Sequence, residues 1–310
     1  MKKFPFELHG HRGARGYRPE NTLASFKYAL AQGVSALEID VGITKDDVPI
    51  VHHDYTLSPH LARRNGKWIE TEPPLRSLAL AELAEYDIGR LDPDSAYATD
   101  YPSQRAVDGE RIPTLADVLE LALARGNDTL RFNIEAKSTP LVADITAPPE
   151  LIAECMLRVI DDAAIRERCI VQSFDWRVVL AVQKLAPGLN LGLTTVSQPW
   201  YDTLWRGRPE KSPWLAGYDL TAFGGSLPRL AAELGASEWL PYFGEVTPDN
   251  LDEAHALGVR VIVWTVNETD DMQRLIAMGV DGITTDYPDR LRAVAAAQGI
   301  SLPAPAPTQQ

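Results

Sequence analysis

The stretch HGHRGARGYRPENT, residues 9–22, carries two histidines and three arginines in a chain that has six histidines in all. A strand-like run precedes it, so a strand ends in a dense set of titratable groups. Two further strand-like runs end in charge. LEIDV places Glu38 and Asp40 at i and i+2, hence on one face, and NIEAK does the same for Glu135 and Lys137. Leu37, Ile39 and Val41 between and beside the first pair demand an opposite, helix-covered face. Three carboxylates converging on one mouth would repel one another unless a cation neutralised them. That pattern points to a hard divalent ion, Mg²⁺ or Ca²⁺.

The run DVGITKDDVPIVHHD reads as a hairpin, with Asp46-Asp47 as a two-residue turn. That register sets Asp40 opposite His53 and Val41 opposite His52, and directly opposed residues share a face. His53 is therefore expected on the carboxylate side and His52 away from it, as a structural or surface residue. His9 and His11 also share a face, but His11 lies nearer the strand end, and His9 is expected as a packed, hydrogen-bonded residue below the site. Arg12 follows His11 and suits bidentate grip of a phosphate. Two histidines beside a carboxylate-bound cation, with Arg12 and Lys137 to hold an anion, form a constellation for phosphoryl transfer. The HGH pair also matches the metal-binding histidines of amidohydrolase barrels. Those enzymes need later histidines, and the only one after position 60 is His255, within an expected helix.

Positioning these groups requires strands that share one end. Strand-like runs occur at 5–11, 35–44, 128–137, 169–174, 190–196, 236–243, 260–267 and 281–286, with helical periodicity at 20–33, 113–126, 150–163, 175–187, 247–258, 268–279 and 287–299. Eight strands, each usually followed by a helix, predict a single (β/α)8 TIM barrel over 1–300, with its active site at the C-terminal ends of the strands. An open doubly wound sheet is the alternative, but no Gly-rich dinucleotide turn follows the first strand. Residues 54–112, rich in Pro, Asp and Arg, read as a small insertion after the second strand. Residues 197–227 carry Trp200, Tyr201, Trp205, Trp214 and Tyr218 among Pro and Gly, and fit no helix. The tail, 301–310, is expected to be disordered.

A net charge of −13 argues against binding nucleic acid or an anionic membrane through a broad basic surface. No apolar window approaches the ~18 residues of a transmembrane helix, so no stable membrane insertion is expected. Cys155 and Cys169 form neither a disulfide framework nor a zinc site. The N-terminus lacks an apolar leader region, which makes cytoplasmic the default location, with the periplasm or secretion following if a leader has been removed.

HRGARGYRPENT, EIDVGITKDDVPIVHHD, NIEAK, QSF at 172–174 and WTVN at 264–267, in this order, closely resemble the glycerophosphodiester phosphodiesterase family from residue 8 to about 295. The resemblance implies a (β/α)8 barrel with an insertion after the second strand. It implies His11 and His53 as the acid/base pair, and Glu38, Asp40 and Glu135 as ligands of one divalent cation. Arg12 and Lys137 would contact phosphate, and Trp264 would wall the substrate. Glu20 and Asn21 would line or brace the site, with helix capping the other role for their element. The substrate implied is a small glycerophosphodiester, cleaved to sn-glycerol 3-phosphate and an alcohol. A lysophospholipase D-like or phospholipase-like enzyme on the same barrel is the alternative, with the aromatic segment at 197–218 either an acyl-binding rim or a packed loop. One departure stands out: the family's hairpin turn commonly reads Asp-Gly and here reads Asp46-Asp47.

Overall fold

Inward and outward positions alternate along every strand of this chain, and the two sets differ sharply in chemistry. The structure, a computed structural model, describes residues 5–305. In chain order the strands are β1 (Glu7–Gly10), β2 (Ala36–Ile43), β3 (Pro49–Val51), β4 (Arg131–Ala136), β5 (Cys169–Ser173), β6 (Asn190–Thr195), β7 (Glu238–Pro241), β8 (Arg260–Val263) and β9 (Gly282–Thr285). All but β3 are parallel. They run in sequence around a closed barrel that β1 seals by pairing with both β9 and β2. The helices are α1 (Leu23–Ala31), α2 (Leu115–Leu123), α3 (Pro149–Asp162), α4 (Trp176–Leu185), α5 (Leu227–Glu233), α6 (Pro248–Ala256), α7 (Thr269–Met278) and α8 (Pro288–Ala297). The fold is therefore a (β/α)8 barrel.

The main apolar core is the shell between strands and helices. Leu37, Ile39 and Val41 of β2, Phe132 and Ile134 of β4, and Val261 and Val263 of β8 are buried there with Phe26, Val118, Met156 and Leu275 from the helices. The opposite faces line the barrel interior, which is polar at both ends. Thr114 and Thr247 cap α2 and α6 through their hydroxyls. Helix α5 has no counterpart among the expected helices. It is only seven residues long, with Pro228 in its first turn, and Ser226 caps it through a bond from the Arg229 amide. So short a helix directly after an irregular loop leaves little periodicity to read.

The hairpin register differs from expectation by one residue. Val41 pairs with Val51, Gly42 with Ile50 and Ile43 with Pro49, and the Val48 carbonyl accepts from the Thr44 amide. The turn thus has three residues, 45–47. Asp47 takes the left-handed conformation (φ 62°) that a glycine would adopt without strain. The His52 amide binds the Asp40 carbonyl, so His52 and not His53 continues the ladder opposite Asp40. β3 ends at Val51, so the alternation rule applies to the side chain of neither His52 nor His53.

Residues 54–112 lie between β3 and α2. They form a small antiparallel sheet (Arg63–Arg64, Lys67–Trp68, Tyr86–Asp87) and two short helices (Leu80–Leu83, Ala96–Asp100). A separate core of Leu57, Leu75, Leu83 and Ile88 packs on Ile50 and Ile112 at its two ends. Beyond α8, residues 301–305 have no regular structure, but the Pro303 carbonyl accepts from Arg292 at 2.8 Å; the rest of the tail expected to be disordered lies outside the described residues.

The N-terminal end of the barrel is closed by charge. Glu7 of β1 takes two bonds from Arg131 Nη1, at 2.7 and 2.9 Å, and pairs with Arg260 at 2.9 Å. Glu238 of β7 receives Arg131 Nη2 at 3.0 Å and Arg260 Nη1 at 2.9 Å. His9 sits one layer above, buried, donating Nε2–H to Glu7 at 2.9 Å and accepting from Asn133 at 3.2 Å. It is the packed residue the sequence suggests. Burial alone would raise the Glu7 pKa, but the bond from His9 and the charges around it outweigh burial and lower it from 4.5 to about 2. A carboxylate with a depressed pKa contributes stability above its unfolded value and loses it as the pH falls through its folded one. The shift corresponds to roughly 3 kcal/mol. We expect acid denaturation of Glu7→Gln to lack the loss of stability that the parent shows between pH 4.5 and 2, and the variant to be less stable than the parent at pH 7. Parallel pH-stability curves for the two proteins would contradict this.

Candidate active site

The opening motif is shaped by a tight turn at the end of β1. Arg12 (φ 50°) and Gly13 (φ 85°) both adopt left-handed backbone. A Cβ on Gly13 would lie 2.5 Å from Ser25 Oγ and 2.6 Å from the Ser25 carbonyl carbon, so only glycine fits. Ser25 Oγ accepts the Ala14 amide and donates to the Arg12 carbonyl, which locks the turn onto α1. The turn aims the Arg12 amide at Glu38 Oε2, 2.9 Å away. Its guanidinium reaches Glu20 at 2.6 Å and Asp40 Oδ2 at 3.1 Å. Asn21, also left-handed (φ 55°), donates to Asp40 Oδ2 at 2.9 Å, and Thr22 caps α1. The PENT element thus both braces the site and starts the helix.

Glu38, Asp40 and Glu135 each offer an oxygen within 4.8 Å of the others, and all three are buried. One oxygen of each carboxylate is held by a donor of the protein. Glu38 Oε2 takes the Arg12 amide, Asp40 Oδ2 takes Asn21, and Glu135 Oε1 takes Lys137 Nζ at 2.6 Å. Lys137 also lies 3.6 Å from Asp40 Oδ1. With Glu20, four carboxylates face two cationic side chains, leaving two negative charges uncompensated. Glu38 bears the consequence: burial and the neighbouring Asp40 and Glu135 push its pKa well above the normal carboxyl range. Burial also raises Glu135, whereas at Asp40 the charges of Arg12 and Lys137 outweigh burial and hold the carboxylate ionised. An all-oxygen set of this span matches one ion at about 2.0–2.6 Å from each ligand. The donor set therefore fits a single divalent cation.

Two imidazoles open onto the same cavity. His11 Nδ1 lies 2.7 Å from Asp286 Oδ1, and its Nε2 is 4.0 Å from Glu38 Oε2. His53 Nδ1 lies 2.7 Å from Asp54 Oδ1. In each ring the carboxylate fixes Nδ1–H and leaves Nε2 as the free basic nitrogen. Burial lowers the His11 pKa to about 4 despite Asp286. Burial, then Arg12 and Lys137, lower His53 as well. Asp286 itself is fully buried; Arg15 and His11 overcome the burial penalty, and it also accepts from Asn267 at 2.7 Å. His52 is buried away from the cluster and donates Nε2–H to the Thr56 carbonyl at 3.2 Å.

The cavity measures about 760 Å³. One side is the charged cluster; the other is aromatic, formed by Phe174, Trp200, Tyr201 and Trp264. Trp264 is fixed by a bond from Nε1 to the Leu240 carbonyl at 2.9 Å and meets Phe174 edge to face at 5.3 Å. The aromatic segment divides in two. Trp214 is packed, whereas Trp200 is 60% exposed at the cavity mouth. Trp205 lies on neither side of this cavity; it lines a separate depression and stacks with Arg208.

His11, His53, Arg12, Lys137, Trp264, Glu38 and Glu135 all line this cavity, with Asp40 bonded directly behind them. Sequence reasoning missed Asp286, Asp54, Arg15 and Tyr97. Asp286 ends the run DGITTD at the C-terminal end of β9, where barrel active sites lie, and Asp54 directly follows His53; both signals were present. Nothing in the sequence pointed to Tyr97.

The glycerophosphoryl diester phosphodiesterase family model matches residues 11–290. A glycerophosphodiester phosphodiesterase of Caldanaerobacter subterraneus is 30% identical over 284 residues, covering 91% of this chain and 94% of the relative. A human lysophospholipase D is 27% identical, covering 91% and 83%. A solved Silicibacter pomeroyi structure assigned to the same family superposes with a TM-score of 0.84 at 34% identity over 96% of each chain. An Oleispira antarctica phosphodiesterase solved with its product sn-glycerol-3-phosphate shares the fold, with a TM-score of 0.69 at 22% identity over 94% and 97%. The match spans both ends of the site, from the HRG turn to α8, and the chain belongs to the glycerophosphoryl diester phosphodiesterase family.

Proposed function

We propose that this protein hydrolyses glycerophosphodiesters to sn-glycerol 3-phosphate and an alcohol, with His11 and His53 as acid–base pair and one Mg²⁺ or Ca²⁺ held by Glu38, Asp40 and Glu135. The observation that carries this reading is the meeting, in one cavity, of two carboxylate-oriented imidazoles and a three-carboxylate cluster with unbalanced negative charge. The names of the relatives support the substrate class. Bound there, a divalent cation would polarise a phosphoryl oxygen and neutralise charge as it develops. Lys137 and Arg12 flank the cluster and contact the remaining phosphate oxygens. One imidazole accepts at Nε2 the proton of the attacking hydroxyl, from water or from the glycerol 2-position. The other, carrying a proton at Nε2, donates it to the leaving alcohol oxygen as the P–O bond breaks; where the 2-hydroxyl attacks, water then opens the cyclic phosphate to sn-glycerol 3-phosphate. Asp286 and Asp54 hold each ring and stabilise it when charged. Trp264 and Phe174 wall the bound diester.

A second reading, lysophospholipase D activity, draws on the exposed Trp200 at the mouth and on the exposed Leu141 and Val142 in the loop after β4. Apolar side chains there would lie against an acyl chain.

Three outcomes test these readings. Exhaustive chelation should abolish hydrolysis of glycerophosphocholine and Mg²⁺ or Ca²⁺ should restore it, while Glu38→Gln loses about three orders of magnitude in kcat and the exposed Glu82→Gln loses nothing; full activity in excess chelator would exclude the ligand set. His11→Ala and His53→Ala should each lower kcat by about 10²–10⁴-fold, and the double variant by less than the product, with His52→Ala near normal. A dead His52→Ala beside an active His53→Ala would invert the assignment. Finally, Trp200→Ala should raise KM for lysophosphatidylcholine and spare glycerophosphocholine if the mouth serves lipid, whereas Trp205→Ala should change neither. Equal losses for Trp200→Ala on both substrates would exclude the lipid role.

A further inference from the structure

One phenol of the insertion at 54–112 joins two separate supports of the reaction centre. Tyr97, on the short helix Ala96–Asp100, donates its hydroxyl to Glu20 Oε2 and accepts from Arg15 Nη1 at 3.1 Å. Each partner leads to a different part of the site. Arg15 grips Asp286 with Nε at 2.8 Å and Nη2 at 3.0 Å, and Asp286 holds His11 Nδ1. Glu20 binds Arg12 at 2.6 Å, and Arg12 binds Asp40 and, through its amide, Glu38. Tyr97 is therefore the link between the support of one imidazole and the support of the carboxylate cluster. Arg15 is committed elsewhere on every side: Tyr101 lies under its guanidinium at 4.7 Å, with the Tyr97 ring edge-on to Tyr101.

We propose that Tyr97 is a positioning residue for the reaction, setting the distance between His11 and the carboxylate cluster through Arg15 and Glu20. A phenol suits this place because one hydroxyl both donates to a carboxylate and accepts from a guanidinium. Phenylalanine keeps the ring and removes both bonds. Arg15 then keeps Asp286 and the Tyr101 ring, Glu20 keeps Arg12, and the two supports are no longer tied through this hydroxyl. Misplacement of reacting groups by a fraction of an ångström lowers kcat more than KM, because ground-state binding is less sensitive to their alignment. The inference rests on the phosphodiesterase reading above.

The test is a double-mutant cycle on glycerophosphocholine hydrolysis with Tyr97→Phe, Glu20→Gln and the pair, and with the exposed Thr99→Ala on the same helix as control. Tyr97→Phe should lower kcat by about tenfold with KM and Tm close to the parent, and the pair should lose clearly less than the product of the singles. Thr99→Ala should match the parent. Normal kcat in Tyr97→Phe, strictly multiplicative losses, or a loss of kcat that accompanies a fall in Tm would each overturn the proposal. Wild-type protein that fails to hydrolyse the diester would instead overturn the phosphodiesterase reading on which it rests.

Discussion

Three buried carboxylates whose oxygens lie within 4.8 Å of one another cannot all remain ionised without positive charge among them. The arrangement of the C-terminal face answers that constraint. The left-handed Arg12 turns its amide to Glu38 and its guanidinium to Asp40; Asn21 reaches Asp40 from the start of α1; Lys137 folds back onto Glu135. Each donor fixes one oxygen of its carboxylate and leaves the cluster centre to be neutralised from outside. The raised pKa of Glu38 marks the charge that the protein alone does not balance. Carboxylates fixed this way would need little reorganisation to receive a cation.

The two ends of the barrel treat charge in opposite ways. At the N-terminal end two carboxylates meet two guanidiniums, and the network is internally balanced. At the C-terminal end acid exceeds base. The balanced end closes the barrel and the unbalanced end faces the cavity, and only about two residue layers, Glu7 to His11, separate them. An aspartate–histidine pairing occurs twice from unrelated places, Asp286 from the end of β9 for His11 and Asp54 from the hairpin's end for His53. Both rings present the same nitrogen to the cavity although they arise on different elements.

How much of this was legible in the sequence depended on the range of the contact. Period-two alternation placed Glu38, Asp40 and Glu135 on one face because β2 and β4 are regular throughout. The eight strands were legible for the same reason, since outward Val, Ile and Leu mark them. His53 was found through an incorrect register. The Asp46-Asp47 turn takes a third residue because Asp47 accepts a left-handed backbone, and His53 reaches the cavity by leaving the strand. Tyr97 was illegible because its two bonds depend on how the insertion folds back over the barrel, which no local pattern encodes. Trp205 and Trp214 looked equivalent to Trp200 in sequence, yet only the loop's own path decides which one meets the cavity.

The proposed chemistry depends most directly on the place of the cation. Crystals equilibrated with Mn²⁺, a hard divalent ion visible by anomalous scattering, would locate it independently of turnover. We expect one strong anomalous peak bonded to Glu38, Asp40 and Glu135, absent from crystals of Glu38→Gln grown in the same way. A peak held by other residues, or no peak at a concentration that supports full activity, would contradict the account.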